Sequence, residues 1–314
     1  MKQLTEQQRA RLRYVQVPAR LPSLERFPDF LIIGPQRTGT TWLHAHLRFH
    51  PQVLLSEPKE LFFFSRLKHP EDPRFRSSSL AWYLERFRDP WPWYVYKSWF
   101  CLWHYRERYR PLVRGEATAS YAALEEDIIA EIVCLNPEIK VITMVRDPVE
   151  RAWSHAKKDL VRNRGRSLGE VSDEEFVAFF NEPYQRRCAQ YVQNVERWAR
   201  YLRRGNLFVG LFEDIAWRPE ELLLDVMAFL GVRASKQYIR ADVRAPVNPS
   251  GGSEVPPRFR KILEALLAEE IAALRDRFGW SWPMRPESGA KSFVFPQDPK
   301  REPPAASHSH VGAV

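Results

Sequence analysis

The stretch that most constrains the fold is residues 31–43, which read L-I-I-G-P-Q-R-T-G-T-T-W-L. A short apolar run, residues 30–33, precedes a loop bounded by Gly34 and Gly39, and a helical pattern starts near Thr40. In such a strand–loop–helix unit, backbone N–H groups and a helix N-terminus surround a phosphate. Taken alone, the pattern is also compatible with a tight turn that needs its two glycines for backbone conformation.

The loop departs from the nucleotide-binding pattern that it most resembles. From Gly34 to Thr41 it nearly follows G-x-x-x-x-G-K-[ST], but Thr40 stands where the lysine belongs. A nucleoside triphosphatase uses that lysine on the β- and γ-phosphates. A basic residue lies inside the loop instead, at Arg37. The loop therefore predicts a phosphate site and disfavours an ATP triphosphate.

A second segment, V-R-D-P-V-E-R-A-W-S-H, follows about 110 residues later. The β-branched run 141–145 predicts a buried parallel strand that ends at Arg146. Asp147 is expected to cap a helix that begins at Pro148 and carries Ser154 two turns along. A guanidinium and a hydroxyl placed in this way suit a second anion. Taken alone, this segment favours a surface ion pair of Arg146 with Asp147 or Glu150; beside the first loop, it favours an anion site.

Together the two segments resemble those of the sulfotransferases that use 3′-phosphoadenosine 5′-phosphosulfate. The similarity is to the branch of heparan sulfate sulfotransferases and their bacterial relatives. Residues 59–64, 115–121 and 207–231 also resemble elements of that branch, and the likeness covers roughly residues 28–282. It implies an α/β fold with a P-loop-like parallel sheet flanked by helices. Strand and helix alternation along the chain agrees with this class.

The resemblance also implies which residues hold the sulfate donor. The first loop would bind the 5′-phosphosulfate, and Arg146 with Ser154 would bind the 3′-phosphate. The contacts expected from the first loop come from Arg37, Thr38, Gly39, Thr40, Thr41 and Trp42. The family's last cofactor loop corresponds to residues 248–253, which lack its basic residues. Backbone contacts alone are therefore expected there, from Ser250, Gly251, Gly252 and Ser253.

Two catalytic roles follow from the same resemblance. Arg37 occupies the position of the family's catalytic lysine, where a cation stabilises the oxygen of the leaving phosphate. Glu60 occupies the position of the branch's general base. The alternative is that Glu60 caps a helix or pairs with Lys59. Glu116 is the second candidate for the base.

The sequence thus predicts an enzyme that moves a sulfuryl group to a hydroxyl or amine of a glycan or small molecule. A phenol, lipid or macrocycle is also open as the acceptor. The tryptophans of the aromatic segment 82–109 are expected mainly to pack in the core: Trp82, Trp91, Trp93, Trp99 and Trp103. One rival is a P-loop kinase or NTPase, with Asp214 as its Mg²⁺ ligand. The other is a polyanion binder without catalysis.

The organisation expected is an extended arm at 1–27, the sulfotransferase domain at 28–283 and a disordered tail rich in proline, serine and histidine at 284–314. Apolar spacing predicts helices at 124–135, 184–204, 219–231 and 258–278, and residues 207–212 read as a strand. Residues 160–175 are expected to form a loop over the site.

Charge and cysteine content set weaker limits. The 48 Lys and Arg outnumber the 39 Asp and Glu, and the net charge of +9 suits an anionic ligand, a nucleic acid or a membrane surface. The three cysteines form no disulfide framework or metal spacing, so no metal is expected. The polar N-terminus and the lack of a membrane-length apolar run lead us to expect a cytoplasmic enzyme of bacterial type with no integral membrane segment. No nucleic-acid partner is expected.

Overall fold

The computed structural model describes residues 3–19, 23–245 and 254–296. Its centre is one six-stranded sheet. The strands are β1 Phe30–Gly34, β2 Val53–Leu55, β3 Val113–Ala117, β4 Lys140–Val145, β5 Leu207–Leu211 and β6 Phe293–Val294. They lie in the order β2-β3-β1-β4-β5-β6, with β1 to β5 parallel and β6 antiparallel to β5. The α/β class with a parallel sheet is confirmed.

Helices pack on both faces of this sheet. They are α1 Glu6–Arg11, α2 Thr40–Leu47, α3 Phe63–Arg66, α4 Leu80–Glu85, α5 Trp91–Tyr105, α6 Glu126–Leu135, α7 Pro148–Ala156, α8 Asp173–Asn181, α9 Pro183–Ala189, α10 Tyr191–Ala199, α11 Asp214–Trp217, α12 Pro219–Leu230, α13 Pro257–Leu266 and α14 Ala268–Phe278. Within the described ranges, no helix combines the length and the apolar character needed to cross a lipid bilayer.

The central strand shows why the sheet is covered on both sides. All five residues of β1 are buried. Leu31 and Ile33 belong to one core, which α6 and α10 help to form, while Phe30 and Ile32 belong to a second core with α2 and α12. A parallel strand buried on both faces needs an apolar side chain at every position, which is what this run supplies.

Two helices that the sequence predicts as continuous are each divided in the structure. The predicted helix 184–204 is α9 followed by α10, with Gln190 at ψ 60° between them. The predicted helix 258–278 bends at Leu267, where α13 ends and α14 begins. Leu267 is buried; its backbone N–H donates to the Leu263 carbonyl, and its carbonyl accepts from the Ile271 N–H. The apolar spacing continues through such a bend, so spacing alone cannot locate it.

The two ends of the chain are more structured than expected. Part of the predicted extended arm is the helix α1, which begins at a capping box formed by Thr5 and Gln8. The Glu131 carboxylate then accepts hydrogen bonds from three successive backbone N–H groups, residues 13–15, at 2.6–3.0 Å. In the predicted disordered tail, β6 extends the sheet. Residues 297–314 lie outside the described part of the chain, and the division into arm, domain and tail otherwise stays a prediction.

Candidate active site

The phosphate cradle connects β1 to α2 in the centre of the sheet. Gly39 precedes α2 with φ at 92°, a left-handed conformation. A Cβ atom there would lie 2.3 Å from Cδ1 of Ile215, which would have to move, and the left-handed backbone is the main reason for glycine at this position. Thr38 is fully buried and its hydroxyl donates to the Pro35 carbonyl at 2.7 Å. The loop is thus fixed in shape before any ligand arrives, with the first-turn amides of α2 at its mouth.

The neighbouring strand β4 brings Arg146 to the same edge of the sheet. The Thr143 hydroxyl donates to the Gly34 carbonyl at 2.9 Å, which ties the two strand ends together. Arg146 donates from Nη1 to the carbonyl of Arg37 at 3.1 Å, and its guanidinium lies 4.4 Å from the centre of the Phe212 ring. After β1 the chain continues towards the β2 edge of the sheet, and after the adjacent β4 it continues towards the β5 side. Ligands of α/β proteins bind at such a switch point.

Helix α7 then places Ser154 beside the cradle. The carboxylate of Asp147 caps this helix by accepting from two first-turn amides at 2.8 and 3.3 Å, and Pro148 is the first helical residue, as the sequence predicts. Ser154 is buried, and its hydroxyl accepts a hydrogen bond from Nε of Arg37 at 2.8 Å. The two segments expected to hold two anions therefore meet through one arginine.

Glu60 lies on the opposite side of the cradle, in the turn after β2. Its backbone N–H donates to the Ala117 carbonyl at 3.0 Å, and its Oε2 accepts from the Ala119 N–H at 2.9 Å. Its Oε1 pairs with the ammonium of Lys59. The side chain remains 26% exposed and faces the cavity. The expected alternative of a pair with Lys59 is therefore present, and it fixes the carboxylate rather than removing it from the site.

Arg37 and Glu60 share a backbone feature that the sequence does not reveal. Both have a left-handed backbone, with φ at 70° and 65°, although neither is glycine. Such a conformation costs on the order of 1–3 kcal/mol and is concentrated at functional sites. The two residues predicted to be catalytic are thus held in strained positions by the surrounding structure.

The cavity between these elements has a volume of about 370 Å³ and is strongly cationic. The charged residues that line its described part are Arg37, Lys59, Arg146, Lys158, Arg162, Arg244 and the single carboxylate Glu60. Burial lowers the pKa of Arg37, and the nearby Arg146 and Arg162 lower it further. The site therefore holds an excess of positive charge that a bound polyanion would relieve. The predicted contacts from Ser250, Gly251, Gly252 and Ser253 lie outside the described residues.

Four of these cations, Lys59 among them, are not among the site residues predicted from the sequence. Lys158 and Arg162 follow Ser154 at intervals of four, a spacing that places side chains on one face of a helix. A π-type turn at Lys157–Val161 continues α7 through the first part of the predicted loop 160–175. The spacing of four residues from Ser154 is thus a sequence pattern that could have identified Lys158 and Arg162 as site residues. Arg244 has no comparable local signal.

Glu116, the second candidate for the general base, lies away from the cavity. Its side chain is fully buried, and it is absent from the cavity lining. Burial raises the pKa of its carboxyl to about 8, although the hydroxyls of Tyr121 and Tyr83 oppose the shift. A carboxyl group in this position cannot reach an acceptor in the cavity.

The Glu116 carboxyl gives a prediction about stability. The unfolded chain loses this proton near pH 4.3, whereas the folded chain keeps it until about pH 8. The folded state therefore binds more protons in this window, and the free energy of unfolding falls as pH rises through it. Glu116→Gln removes this dependence. Between pH 5 and pH 8, the free energy of unfolding of the variant, measured in urea, should rise relative to that of the wild type by on the order of 1–4 kcal/mol. A difference that does not vary with pH would contradict the burial argument.

The tryptophans of the aromatic segment do not pack in the core as expected. Trp82 is partly buried against the main core, but Trp91, Trp93, Trp99 and Trp103 are exposed. None of them lines the cavity. The expectation of core packing is therefore wrong for four of the five.

Asp214, the candidate Mg²⁺ ligand of the kinase alternative, is fully buried. Its carboxylate accepts two hydrogen bonds from Arg218 at 2.7 and 2.8 Å and one from the Ser292 hydroxyl at 2.6 Å. Among the described residues, no group of histidine, cysteine or acidic side chains is arranged to hold a metal. Asp214 is therefore not available to bind the Mg²⁺ ion that the kinase alternative requires.

Comparison with known proteins gives one consistent family. The sequence model of the family described as "Sulfotransferase domain" matches residues 27–245. The bifunctional heparan sulfate N-deacetylase/N-sulfotransferase 3 of Mus musculus is 28% identical over 230 residues, which are 69% of this chain and 24% of that protein. The corresponding enzyme 2 of Bos taurus is 24% identical over 225 residues, covering 69% of this chain and 23% of that protein. The chain thus matches about a quarter of the length of these relatives.

A solved structure supports the fold. The sulfotransferase from Alicyclobacillus acidocaldarius superimposes with a TM-score of 0.52 at 24% sequence identity, covering 79% of this chain and 94% of that one.

Proposed function

Because the chain belongs to the sulfotransferase domain family, we propose that it transfers a sulfuryl group from 3′-phosphoadenosine 5′-phosphosulfate to a hydroxyl or amine of a glycan or small molecule. The observation that carries the proposal is the meeting of the cradle, Arg146 and the Glu60 carboxylate in one cationic cavity. Ser154 lies beside this cavity, hydrogen-bonded to Arg37. The whole activity of the longer relatives is not implied by this match.

The residues of the cavity fit this donor. The amides of the cradle and Arg37 suit the 5′-phosphosulfate, and Arg146 with Ser154 suits the 3′-phosphate. The excess of cations is the feature that these anionic groups need. When bound, the donor supplies an activated sulfuryl group.

The remaining roles in the proposed reaction belong to residues of the chain itself. Glu60 accepts the proton of the attacking hydroxyl or amine, and the Ala119 N–H with Lys59 holds its carboxylate in place. Arg37 presents a permanent positive charge where negative charge develops on the leaving phosphate oxygen. Ser154 fixes the direction of the Arg37 side chain through its hydrogen bond to Nε.

The acceptor is proposed in coarser terms. Lys59, Lys158 and Arg162 line the cavity in addition to the residues assigned to the donor, and they favour an acceptor that carries negative charge. Incubation with the sulfate donor and pooled candidate acceptors, followed by mass spectrometry for sulfated products, tests the function and identifies the acceptor. A protein that binds polyanions with a steep salt dependence and forms no sulfated product would contradict the proposal.

The nucleotide preference separates this function from the kinase alternative. We expect adenosine 3′,5′-bisphosphate to bind more tightly than ATP in the absence of Mg²⁺, as measured by calorimetry. Tighter, Mg²⁺-dependent binding of ATP would overturn the proposal.

We further propose a cytoplasmic location for the protein, because Cys101, Cys134 and Cys188 are free thiols.

Arg146→Ala should weaken the binding of adenosine 3′,5′-bisphosphate by about 1.5–3 kcal/mol, because it removes charge-assisted hydrogen bonds to a phosphate. Ser154→Ala should cost less, because it removes a neutral hydroxyl. Calorimetry with adenosine 5′-monophosphate is the control, and its affinity should change little. Equal losses for the two ligands would place Arg146 elsewhere than at the 3′-phosphate.

A further inference from the structure

The helix α5 presents a continuous aromatic face to solvent. Trp91, Trp99 and Trp103 are 76%, 63% and 62% exposed, and Val95 and Leu102 are also exposed. These five residues, called here the aromatic face, are spaced at i, i+4, i+8, i+11 and i+12 along the helix. With 3.6 residues per turn they occupy an arc of about 120° on one side. Exposed apolar patches of this kind mark interaction sites.

The opposite side of α5 is firmly anchored, so the aromatic face cannot turn inward. Lys97 is buried in an ion pair with Asp89 at 2.9 Å. Cys101 is fully buried, and the Phe100 ring lies 4.7 Å from the ring of Phe49. Rotation of the helix would leave the largely buried Asp89 carboxylate with the Tyr109 hydroxyl but without its cationic partner, which is costly.

The segments that flank α5 carry an excess of arginine, because the nearby carboxylates of Glu85 and Glu107 are paired with Arg26 and Arg233 from other parts of the chain. The fifteen residues of α5 include no aspartate or glutamate. Arg88 lies exposed before the helix, and Arg106, Arg108 and Arg110 lie exposed after it. An apolar stripe flanked by arginines matches a partner that is apolar inside and anionic at its surface.

This face is separate from the catalytic cavity. None of the residues of α5 lines the cavity. The helix packs against Phe49, just beyond the C-terminal end of α2, whereas the cradle lies at the N-terminal end of α2. The aromatic face is therefore not the acceptor site.

We propose that α5 docks the protein on an anionic lipid surface, with the aromatic face lying in the headgroup region. Tryptophan favours this zone because its ring is apolar and its N–H is polar. The arginines on either side of the helix would attract anionic headgroups. A second copy of the chain is a poorer occupant, since a two-fold pairing of identical faces would bring together flanks that each carry an excess of arginine.

Flotation with vesicles tests this proposal. Wild-type protein should bind phosphatidylcholine vesicles that contain phosphatidylglycerol and bind pure phosphatidylcholine much more weakly. Trp99→Ser with Trp103→Ser should reduce the partition coefficient by about tenfold or more. Arg108→Gln with Arg110→Gln should reduce binding to the anionic vesicles by about tenfold, and added salt should mimic this loss.

Arg203→Gln with Arg204→Gln is the matched control, because these exposed arginines lie before β5 and away from α5. The control should bind vesicles like the wild type, and all variants should keep their thermal unfolding and their affinity for adenosine 3′,5′-bisphosphate. These readouts separate failure of the docking proposal from failure of the proposed function.

Three outcomes would overturn the proposal. The first is wild-type protein that binds neither kind of vesicle. The second is a wild-type dimer that Trp99→Ser with Trp103→Ser converts to a monomer, which would assign the face to a second copy. The third is protection of residues 297–314 from proteolysis that the same variant abolishes, which would assign the face to the chain's own tail.

Discussion

Arg37→Ala is expected to lower turnover by about 10²–10³-fold. The proposed role of Arg37 is with charge that develops only as the sulfuryl group leaves, so its loss should affect the transition state more than the bound ground state. The affinity for adenosine 3′,5′-bisphosphate should therefore fall much less than turnover. Single-turnover rates of sulfated product formation, compared with calorimetric affinities, measure the two effects separately.

Arg37→Lys is the informative comparison. Lysine and alanine must both adopt the left-handed backbone at this position, where φ is 70°. The difference between the two variants therefore reports the side chain rather than backbone strain. Arg37→Lys should retain much of the activity, because a positive charge is kept. If the lysine variant is as inactive as the alanine variant, the planar hydrogen bond from Nε to Ser154 is the essential feature, and the role is geometric.

The sequence predicts the centre of this molecule well because the relevant signals are local. A buried strand, a glycine-bounded loop and a helix start all fall within residues 30–42, and the structure places β1, the cradle and α2 there. The same holds for α7, since Asp147 and Pro148 are a helix start that depends only on their own backbone. The family resemblance then assigns the two segments to one cofactor site. Hydrophobic periodicity alone does not provide this assignment.

The features that the sequence does not predict depend on distant parts of the chain. The left-handed backbone of Glu60 is stabilised by hydrogen bonds to Ala117 and Ala119, nearly sixty residues away. The exposure of Trp99 and Trp103 depends on which side of α5 is anchored, and the buried Lys97–Asp89 pair decides that. A lysine on the buried side and tryptophans on the exposed side reverse the usual hydrophobic pattern. The expectation that aromatic residues pack in the core therefore fails for this helix.

Glu60→Gln is expected to lower turnover by about 10²–10⁴-fold, the usual cost of removing a general base. The substitution keeps the size of the side chain, and the amide oxygen can still accept from the Ala119 N–H. It cannot take a proton from the acceptor. The affinity for adenosine 3′,5′-bisphosphate should stay near the wild-type value, because the hydrogen-bond partners of Glu60 include Ala117, Ala119 and Lys59, which are assigned to no donor phosphate.

Glu116→Gln makes the same chemical change at the other candidate base and is the matched control. Since Glu116 is buried outside the cavity, this variant should change the pH dependence of stability and leave turnover near that of the wild type. The opposite result, with Glu60→Gln active and Glu116→Gln inactive but folded, would move the base to Glu116 and require a path from the cavity to that carboxyl. If thermal unfolding shows that Glu60→Gln is not folded, its inactivity reports a structural role of the hydrogen bond to Ala119. The base must then be sought elsewhere in the cavity.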